Sequence, residues 1–364
     1  MAGLVVFGTR PDAIKLAPVV AGLNARLGEA RPIVVCSGQH RTLIAQTLHS
    51  LGLRYDVNFD LMIYDQKPDE VLRRIVASLG QFVDDEGPEW ILVQGDTVTA
   101  LAGALVGHLA HVPVIHLEAG LRTYDLQAPW PEEGIRQSIA RLATLHLAPN
   151  ARAREHLLSE HIAGERIVVV GNTGLDMQNQ ITAATGNDGS ATGGDPYFLV
   201  TLHRRENQGS RLEAVCRRLS ALLERFPDHR IKWPRHPNPH VVRVVESRFA
   251  ENCPRADVVE PLEYPGFIAA TATARLAITD SGGVQEEAPS FGVPVAVIRD
   301  KTERPEVVEL GLAEVAGGDA RDLDAVVDHL LERPVDPDAV AQWREIQGDG
   351  HAAEAAIEAI LARF

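Results

Sequence analysis

The sequence is poor in cysteine and lysine and has no long apolar run. Its cysteines are far apart and lack CxxC spacing: Cys36, Cys216 and Cys253. That pattern argues against a disulfide framework or a structural zinc site and is typical of a reducing compartment. No apolar stretch approaches the roughly 18 residues that a membrane span requires, and no positively charged segment precedes the first predicted strand. We therefore expect a cytoplasmic protein without a membrane partner.

The charge balance is acidic. Asp and Glu number 50 against 35 for Lys and Arg, a formal net charge of −15. Because nucleic acids are bound mainly through a basic surface, this balance disfavours a nucleic-acid partner. It is compatible with a small anionic ligand held by a few arginines. A P-loop and an HExxH zinc motif are absent, and the turn after the first predicted strand lacks GxGxxG, which disfavours a dehydrogenase.

Strand and helix patterns alternate along both halves of the chain, which predicts an α/β protein with parallel β-α-β units. A length of 364 residues suggests two domains, and a Gly-, Ser- and Thr-rich stretch at 182–196 indicates a linker. We expect a first domain at 1–171, a second at 172–350, and a C-terminal helix at 351–364 that packs back on the first. A ligand is expected in the cleft between the domains.

Short continuous apolar runs predict the buried strands. In the first half they cover residues 4–7, 32–36, 90–94, 113–117, 145–148 and 167–170. The second half is expected to have its last strand at 293–298, after strands at 197–201, 230–233, 256–259 and 275–278.

The segment Thr279–Pro289 predicts an anion site. After a buried strand it continues with Ser281, Gly282 and Gly283 and then a helix-compatible sequence. Glycines let the backbone approach a ligand closely, and free N–H groups at a helix N-terminus attract anions. Arg304, further along the chain, adds a cation. The alternative is an ordinary strand-to-helix turn capped by Ser281.

Cationic and acidic side chains also follow the strands of the first half. Arg10 and Lys15 lie near the start of a helix, where two cations suit a diphosphate. Asp96 and Glu118 end neighbouring strands, at the edge where ligands bind in open α/β sheets. The structural alternative is that the two cations are solvated residues at a helix end.

Two further residues are candidates for acid/base chemistry. Glu132 begins a predicted helix, where the helix dipole alone would favour an acid, and His203 follows the strand at 197–201. A cationic, N–H-rich site beside such groups fits cleavage or formation of a phosphate ester at a sugar carbon.

In combination, these motifs resemble the non-hydrolysing UDP-N-acetylglucosamine 2-epimerases, which have the B-type glycosyltransferase fold of two Rossmann-like domains. The combination is far more specific than any one motif. The matching segments occur in the family's order: Phe7–Pro11, Gly95–Thr97, His116–Thr123, Pro129–Glu133, His203–Glu206, Thr279–Ser290 and Thr302–Glu306.

The resemblance implies reversible interconversion of UDP-GlcNAc and UDP-ManNAc through elimination of UDP to a glycal and its re-addition, without a cofactor and in a homodimer. It makes Asp96, Glu118 and Glu132 the catalytic acids and leaves open which one takes up the proton. His203 becomes an active-site histidine near the diphosphate. Phe267 is expected beside uracil, and the other substrate contacts are Arg10, Lys15, Ser281, Gly282, Gly283, Glu287 and Arg304.

The sequence departs from the family pattern at a few positions. Asp12 stands where members usually have Glu. Many bacterial members bind a second, activating UDP-GlcNAc, and Thr42 and Asp65 stand where that region is expected to have Gln and Arg. Because an acid in place of a cation repels a diphosphate, we expect weak or absent activation. The residues that resemble parts of this second site are Gln39, His40, Arg41, Gln66, Arg205 and His236.

Other functions stay open at this point. A hydrolysing 2-epimerase would release ManNAc and UDP, a glycosyltransferase would use the sugar nucleotide as a donor, and a regulator would bind it without turnover. Three acids around one sugar ring argue against the transferase, and the presence of every expected acid together with His203 argues against the regulator.

Overall fold

A computed structural model describes residues 3–38, 47–61, 67–186, 195–202, 209–235 and 239–364. Contacts divide the chain into two compact units. Unit 1 comprises Met1–Met177 and Ile346–Phe364, and unit 2 comprises Gln178–Glu345. The divisions expected from the sequence, at 171/172 and 350/351, lie a few residues from these.

Unit 1 contains a parallel sheet. Its strands are β1 (Leu4–Phe7), β2 (Ile33–Cys36), β3 (Val57–Asn58), β4 (Ile91–Gln94), β5 (Val114–Leu117), β6 (Leu145–Ala148) and β7 (Ile167–Val169). They form a seven-stranded sheet in the order β3-β2-β1-β4-β5-β6-β7, and every pairing is parallel. Parallel strands need long crossovers, which are supplied by α1 (Arg10–Leu27), α2 (Pro68–Glu86), α3 (Val98–Leu109), α4 (Glu132–Leu142) and α5 (Ala151–Ser159). Helix α6 (Thr173–Thr185) follows β7.

Unit 2 repeats this plan. Its strands are β8 (Tyr197–Thr201), β9 (Arg230–Pro234), β10 (Ala256–Val259), β11 (Leu276–Thr279), β12 (Val295–Val297) and β13 (Ala313–Val315). They form a six-stranded parallel sheet in the order β10-β9-β8-β11-β12-β13. The helices are α7 (Ser210–Arg225), α8 (Pro239–Arg248), α9 (Tyr264–Ala272), α10 (Gly282–Ser290), α11 (Pro305–Glu309), α12 (Leu323–Glu332) and α13 (Pro337–Ile346).

Both sheets are mainly apolar on both faces, as expected for parallel strands covered by helices. In unit 1, β1, β4, β5 and β6 are buried at every residue. In unit 2, Phe198 packs in one core cluster with Trp233, whereas Leu199 packs in another with Trp343. Successive strand side chains point to opposite faces, so the two clusters lie on opposite sides of the sheet. Polar chemistry is therefore left to the turns at the strand ends.

The last helix, α14 (Ala352–Leu361), belongs to unit 1. Arg26 of α1 forms ion pairs with Glu354 at 2.5 Å and Glu358 at 2.7 Å. The backbone N–H groups of Ala352 and Ala353 donate to the carboxylate of Asp176. The free N–H groups in the first turn of α14 thus find their acceptor in a side chain that is distant in sequence.

The cysteines are part of the core. Cys36, Cys216 and Cys253 are buried free thiols, and burial raises the pKa of Cys36 to about 11 and that of Cys216 to about 12. Thiols with such a pKa stay protonated near neutral pH and are poorly reactive. Separately, among the helices that the structure describes, none combines the length and the apolar character needed to cross a membrane.

The predicted α/β class with two parallel sheets is confirmed, but two local predictions are wrong. Strand 293–298 is not the last, because β13 pairs with β12 beyond it; a three-residue strand with a central Glu314 has too little pattern to be recognised. The proposed linker at 182–196 begins too early, because residues up to Thr185 continue α6. Alanine favours helix, and the Thr185 hydroxyl bonds back to the Ile181 carbonyl at 2.8 Å.

Candidate active site

The turn between β1 and α1 is fixed by a reciprocal cap. Thr9 caps the helix, its hydroxyl accepting from the Asp12 N–H, while Asp12 Oδ2 accepts from the N–H groups of Thr9 and Gly8, both at 3.1 Å. Such a capping box defines where a helix begins. It places Arg10, partly exposed, as the first residue of α1. Lys15 lies on the same helix, and its side chain is 11% exposed.

Glu118, predicted to be a catalytic acid, lies directly after β5 and is held by two donors. Lys15 Nζ forms an ion pair with Oε1, and Gln94 Nε2, at the end of β4, donates to Oε2 at 2.5 Å. The backbone of Glu118 has a φ of 65°, a left-handed conformation that costs energy for a residue other than glycine and that clusters at functional sites. The ammonium of Lys15, predicted to contact substrate, is therefore directed at the predicted acid Glu118 in this structure.

Asp96 lies in the turn after β4, beside a second cation. Its Oδ2 is 2.5 Å from Nη2 of Arg136 on α4, and its side chain is 27% exposed. Arg136 also lies 3.3 Å from Glu133, which is fully buried and accepts from the backbone N–H groups of Thr123 and Tyr124. Glu133 therefore organises the loop before α4, whereas Glu132, the first residue of that helix, is partly exposed.

His116 fixes the turn that carries Asp96. It is fully buried in β5, and its Nε2 is 2.8 Å from the carbonyl oxygen of Gly95. Burial lowers the pKa of His116 to about 4, so the ring is neutral at physiological pH and Nε2 donates to that carbonyl. The hydrogen bond ties the end of β4 to β5, next to both predicted acids.

Arg122 has a structural role in this arrangement. Its side chain has no exposed surface, and it donates to both carboxylate oxygens of Glu160 at 2.6 and 3.0 Å and to the carbonyl of Leu121. A bidentate arginine of this kind is held in one geometry. It anchors the loop after β5 to the end of α5.

In unit 2, β11 and α10 form the predicted strand–turn–helix. Ser281 is the N-cap residue of α10, and its side chain makes no capping hydrogen bond. An N-terminal turn has N–H groups without intrahelical acceptors, so this turn retains donors that a capping serine would otherwise use. Gly282 also brings the backbone close to Arg304, since a Cβ there would lie 2.8 Å from a guanidinium nitrogen.

The guanidinium of Arg304 is held by two acids. Its Nε is 2.6 Å from Glu286 Oε1, and its Nη1 is 2.5 Å from Glu303 Oε1. Glu303 in turn lies 2.7 Å from Arg299. Breaking such a buried, multiply paired arrangement is costly, so Arg304 is set in place over the first turn of α10.

Glu287, the acid predicted to contact the ribose, is held by a tyrosine. Its Oε1 accepts from the hydroxyl of Tyr264, a buried residue of α9, at 2.8 Å. Phe267, on the same helix, is partly buried. The two neighbouring acids of α10 thus have different partners: Glu286 holds Arg304, and Glu287 is bonded to a tyrosine.

Several predicted residues lie outside the described part of the chain: Gln39, His40, Arg41, Gln66, His203, Arg205 and His236. Conversely, Gln94, Arg136 and Tyr264 contact predicted site residues and were not singled out in the sequence. The sequence signal for Gln94 is a weak one, a polar residue at the end of an apolar strand. The described residues contain no cluster of three or more His, Cys, Asp or Glu side chains able to hold a metal ion.

The chain is similar to known proteins along nearly its whole length. The family model for UDP-N-acetylglucosamine 2-epimerases matches residues 25–361. The UDP-N-acetylglucosamine 2-epimerase of Bacillus subtilis (strain 168) is 36% identical over 367 residues, which cover 99% of this chain and 95% of that protein. The crystal structure of UDP-GlcNAc 2-epimerase from Neisseria meningitidis bound to UDP-GlcNAc has a TM-score of 0.90 and 33% identity, and 100% of both chains is covered.

A more distant likeness concerns the fold alone. The glycosyltransferase SnogD from Streptomyces nogalater has a TM-score of 0.61 at 16% identity, again with 100% of both chains covered. The predicted class, Rossmann-like domains of the B-type glycosyltransferase fold, is confirmed by these neighbours and by the two parallel sheets.

Proposed function

The chain belongs to the UDP-N-acetylglucosamine 2-epimerase family, and from this premise we propose that it interconverts UDP-GlcNAc and UDP-ManNAc without releasing free sugar. The observation that carries the proposal is the pair of acids at the ends of β4 and β5. Each has its own cation: Arg136 for Asp96, and Lys15 for Glu118. Carboxylates held in this way are suited to proton transfer.

The proposed reaction begins with elimination. The C2 hydrogen of the sugar is not next to a carbonyl, so its removal is coupled to loss of UDP from C1. A carboxylate takes the C2 proton, the C1–O bond breaks with its electron pair on the diphosphate, and a C1=C2 double bond forms the glycal. A proton is then delivered to C2 from the opposite face, and the diphosphate oxygen adds back to C1. The overall reaction is redox-neutral and needs no redox cofactor.

Unit 2 supplies the groups proposed to hold the leaving group. Charge develops on the diphosphate oxygens as C1–O breaks, and prearranged N–H donors and cations stabilise such charge best. Ser281, Gly282 and Gly283 offer the first turn of α10, and Arg304 is fixed above Gly282. Glu287 is proposed to accept from ribose hydroxyls, with Tyr264 holding the carboxylate.

In unit 1, Asp96, Glu118 and Glu132 are proposed to share the proton transfers. Epimerisation exchanges protons on both faces of C2, so more than one acid is required. Arg10 is proposed to add positive charge for the diphosphate, since it begins α1 at the carboxyl end of β1.

The test is to incubate the protein with UDP-GlcNAc in D₂O and to follow the reaction by NMR. Deuterium at C2 together with UDP-ManNAc is the expected result. Free ManNAc and UDP would reassign the protein as a hydrolysing epimerase, and the absence of C2 exchange would reject epimerisation altogether. Asp96→Asn and Glu118→Gln are expected to lose exchange, whereas Asp69→Asn, on the exposed start of α2, should retain it.

A further inference from the structure

Gln94 is an unusual end for an apolar strand. The other residues of β4, Ile91, Leu92 and Val93, are fully buried aliphatic residues, and Gln94 itself is only 4% exposed. Burying an amide is unfavourable unless its polar atoms are hydrogen-bonded. The side chain must therefore gain a partner that a leucine or valine at this position would not need.

Its partner is Glu118. The two strands pair so that Gln94 lies opposite Leu117, and Glu118 is the next residue. The amide nitrogen of Gln94 donates to Oε2 at 2.5 Å, while Lys15 contacts Oε1. A carboxylate accepts and an ammonium donates, so the side-chain nitrogen of Gln94, and not its oxygen, faces Glu118. The two oxygens of the acid are thus held from two different elements, α1 and β4.

We propose that Gln94 is a positioning residue for Glu118 that keeps this carboxylate in one rotamer, facing the substrate, throughout the reaction. The proposal rests on the proposed function, because it assigns Glu118 to proton transfer. Lys15 contacts Oε1, and a second donor on Oε2 fixes the orientation of the carboxylate plane. Small errors in such a geometry cost much of the rate.

The charged and titratable groups around Glu118 determine how a substitution at Gln94 changes the pH at which Glu118 titrates. Lys15 faces Glu118 from α1. Asp96 is the residue after Gly95, and a Cβ added at Gly95 would lie 3.2 Å from Glu118 Oε2. His116, two residues earlier in β5, is neutral near pH 7. Gln94 donates to the ionised form of Glu118, so removal of this donor favours the protonated form. The titration of Glu118 must then move to higher pH.

The test variant is Gln94→Met, which keeps the side-chain length and removes the N–H. We expect kcat for epimerisation to fall about 10- to 100-fold, the loss expected for one hydrogen bond to a charged group, with KM for UDP-GlcNAc little changed. The limb of the pH–rate profile to which Glu118 contributes should shift to higher pH. Gln94→Glu should shift it further, because two carboxylates then share the position.

A matched control is Gln81→Met. Gln81 also donates to a carboxylate, Asp85 Oδ1 at 3.0 Å, but on the exposed face of α2. It should leave kcat and the pH profile unchanged. Wild-type kcat in Gln94→Met would overturn the proposal, and so would a slow variant with an unshifted limb and a lower Tm, because that pattern indicates only a packing role.

A second readout separates this proposal from the proposed function. The side-chain carboxyl of Glu118 can be titrated by ¹³C NMR in wild type and Gln94→Met without any turnover. If wild type fails to exchange C2 deuterium, the epimerase assignment is wrong, yet a higher pKa for Glu118 in the variant would still support the hydrogen bond. An unchanged pKa would reject the positioning role even in an active enzyme.

Discussion

Asp12 is a buried carboxyl group close to the proposed site. Besides the N–H groups of Gly8 and Thr9, its Oδ2 accepts from the hydroxyl of Thr97 at 3.3 Å, next to Asp96. Burial is the main reason that the pKa of Asp12 rises from 3.8 to about 6, and the negative charge of Asp96 adds to it. The shorter acid at this position thus joins the start of α1 to the turn after β4.

That pKa predicts an unusual dependence of stability on pH. Between pH 3.8 and 6 the folded chain binds more protons at Asp12 than the unfolded chain does, so stability is present at low pH and lost as the pH rises through 6. Relative to Asp12→Asn, which does not titrate, the wild-type free energy of unfolding should fall by about 2 kcal/mol between pH 4 and pH 7. Urea titrations at both pH values measure this difference. A pH-independent difference would contradict it, and Asp84→Asn on exposed α2 is the control.

Much of the candidate site in unit 1 was predictable residue by residue. Asp96 and Glu118 were predicted because parallel strands place their carboxyl ends at one edge of the sheet, and the structure has them just after β4 and β5. Gln94 and Arg136 were not, because a strand-end amide and a mid-helix arginine have ordinary solvated roles in most sequences. Only the fold shows that Arg136 of α4 reaches the acid after β4.

The N-terminus of α10 depends on a glycine for a steric reason. A Cβ at Gly282 would meet the guanidinium of Arg304 at 2.8–2.9 Å. A flexible arginine would move aside, but this one is paired with Glu286 and Glu303. Relief of the clash therefore disrupts either the ion pairs or the first turn of the helix.

Gly282→Ala is accordingly expected to weaken binding of the uridine diphosphate moiety. We predict an increase of about tenfold in the Kd for UDP, equivalent to about 1.4 kcal/mol, measured by isothermal titration calorimetry. The matched control is Gly80→Ala in the middle of α2, where nothing lies within 4 Å of the added Cβ. This control should bind UDP as wild type does and should be slightly more stable, since alanine favours helix. Wild-type affinity in Gly282→Ala would show that the close approach to Arg304 is unimportant for UDP.

Strands with a continuous apolar run were predicted well, whereas short elements without a clear pattern were not. Strands such as 4–7, 145–148 and 256–259 have the bounds expected from their apolar runs. Helix α5, helix α13 and strand β13 were not recognised. A nine-residue helix such as α5 carries little periodicity, and β13 is a strand only because it pairs with β12. Their structure is set by tertiary contacts rather than by local propensity.

At the scale of the molecule, the return of the C-terminal chain to unit 1 depends on contacts between distant residues. The side-chain amide of Asn172 donates to Gln347 at 3.0 Å, and the backbone of Asn172 donates to the same residue's carbonyl. Gly171 has a φ of 98°, and a Cβ there would lie within 3 Å of residues 347, 348 and 352. The amphipathic pattern of the C-terminal helix predicts that one of its faces is packed against the protein, but this pattern does not specify these partners.

The sheet of unit 1 also contains two neutral histidines side by side. His116 and His146 are register partners on β5 and β6, and both are fully buried. In the described structure neither ring nitrogen of His146 has a hydrogen-bond partner, and burial lowers its pKa to about 3. At low pH, therefore, either this imidazole becomes protonated inside the core or the sheet around it unfolds.

The resulting acid sensitivity has a definite sign. A histidine with a folded pKa near 3 binds fewer protons than the unfolded chain, whose value is 6.5, so stability falls as the pH drops below 6.5. From pH 7 to pH 5 His146 should cost wild type about 2 kcal/mol relative to His146→Leu, which does not titrate. Guanidinium denaturation at the two pH values measures this difference, with His108→Leu, exposed at the end of α3, as the control. Equal pH dependence in wild type and His146→Leu would mean that another group governs acid unfolding. If the pH dependence of stability is shallower in His146→Leu but not in His108→Leu, the acid sensitivity is assigned to the pair of strands β5 and β6. Its sign is opposite to that of the Asp12 effect.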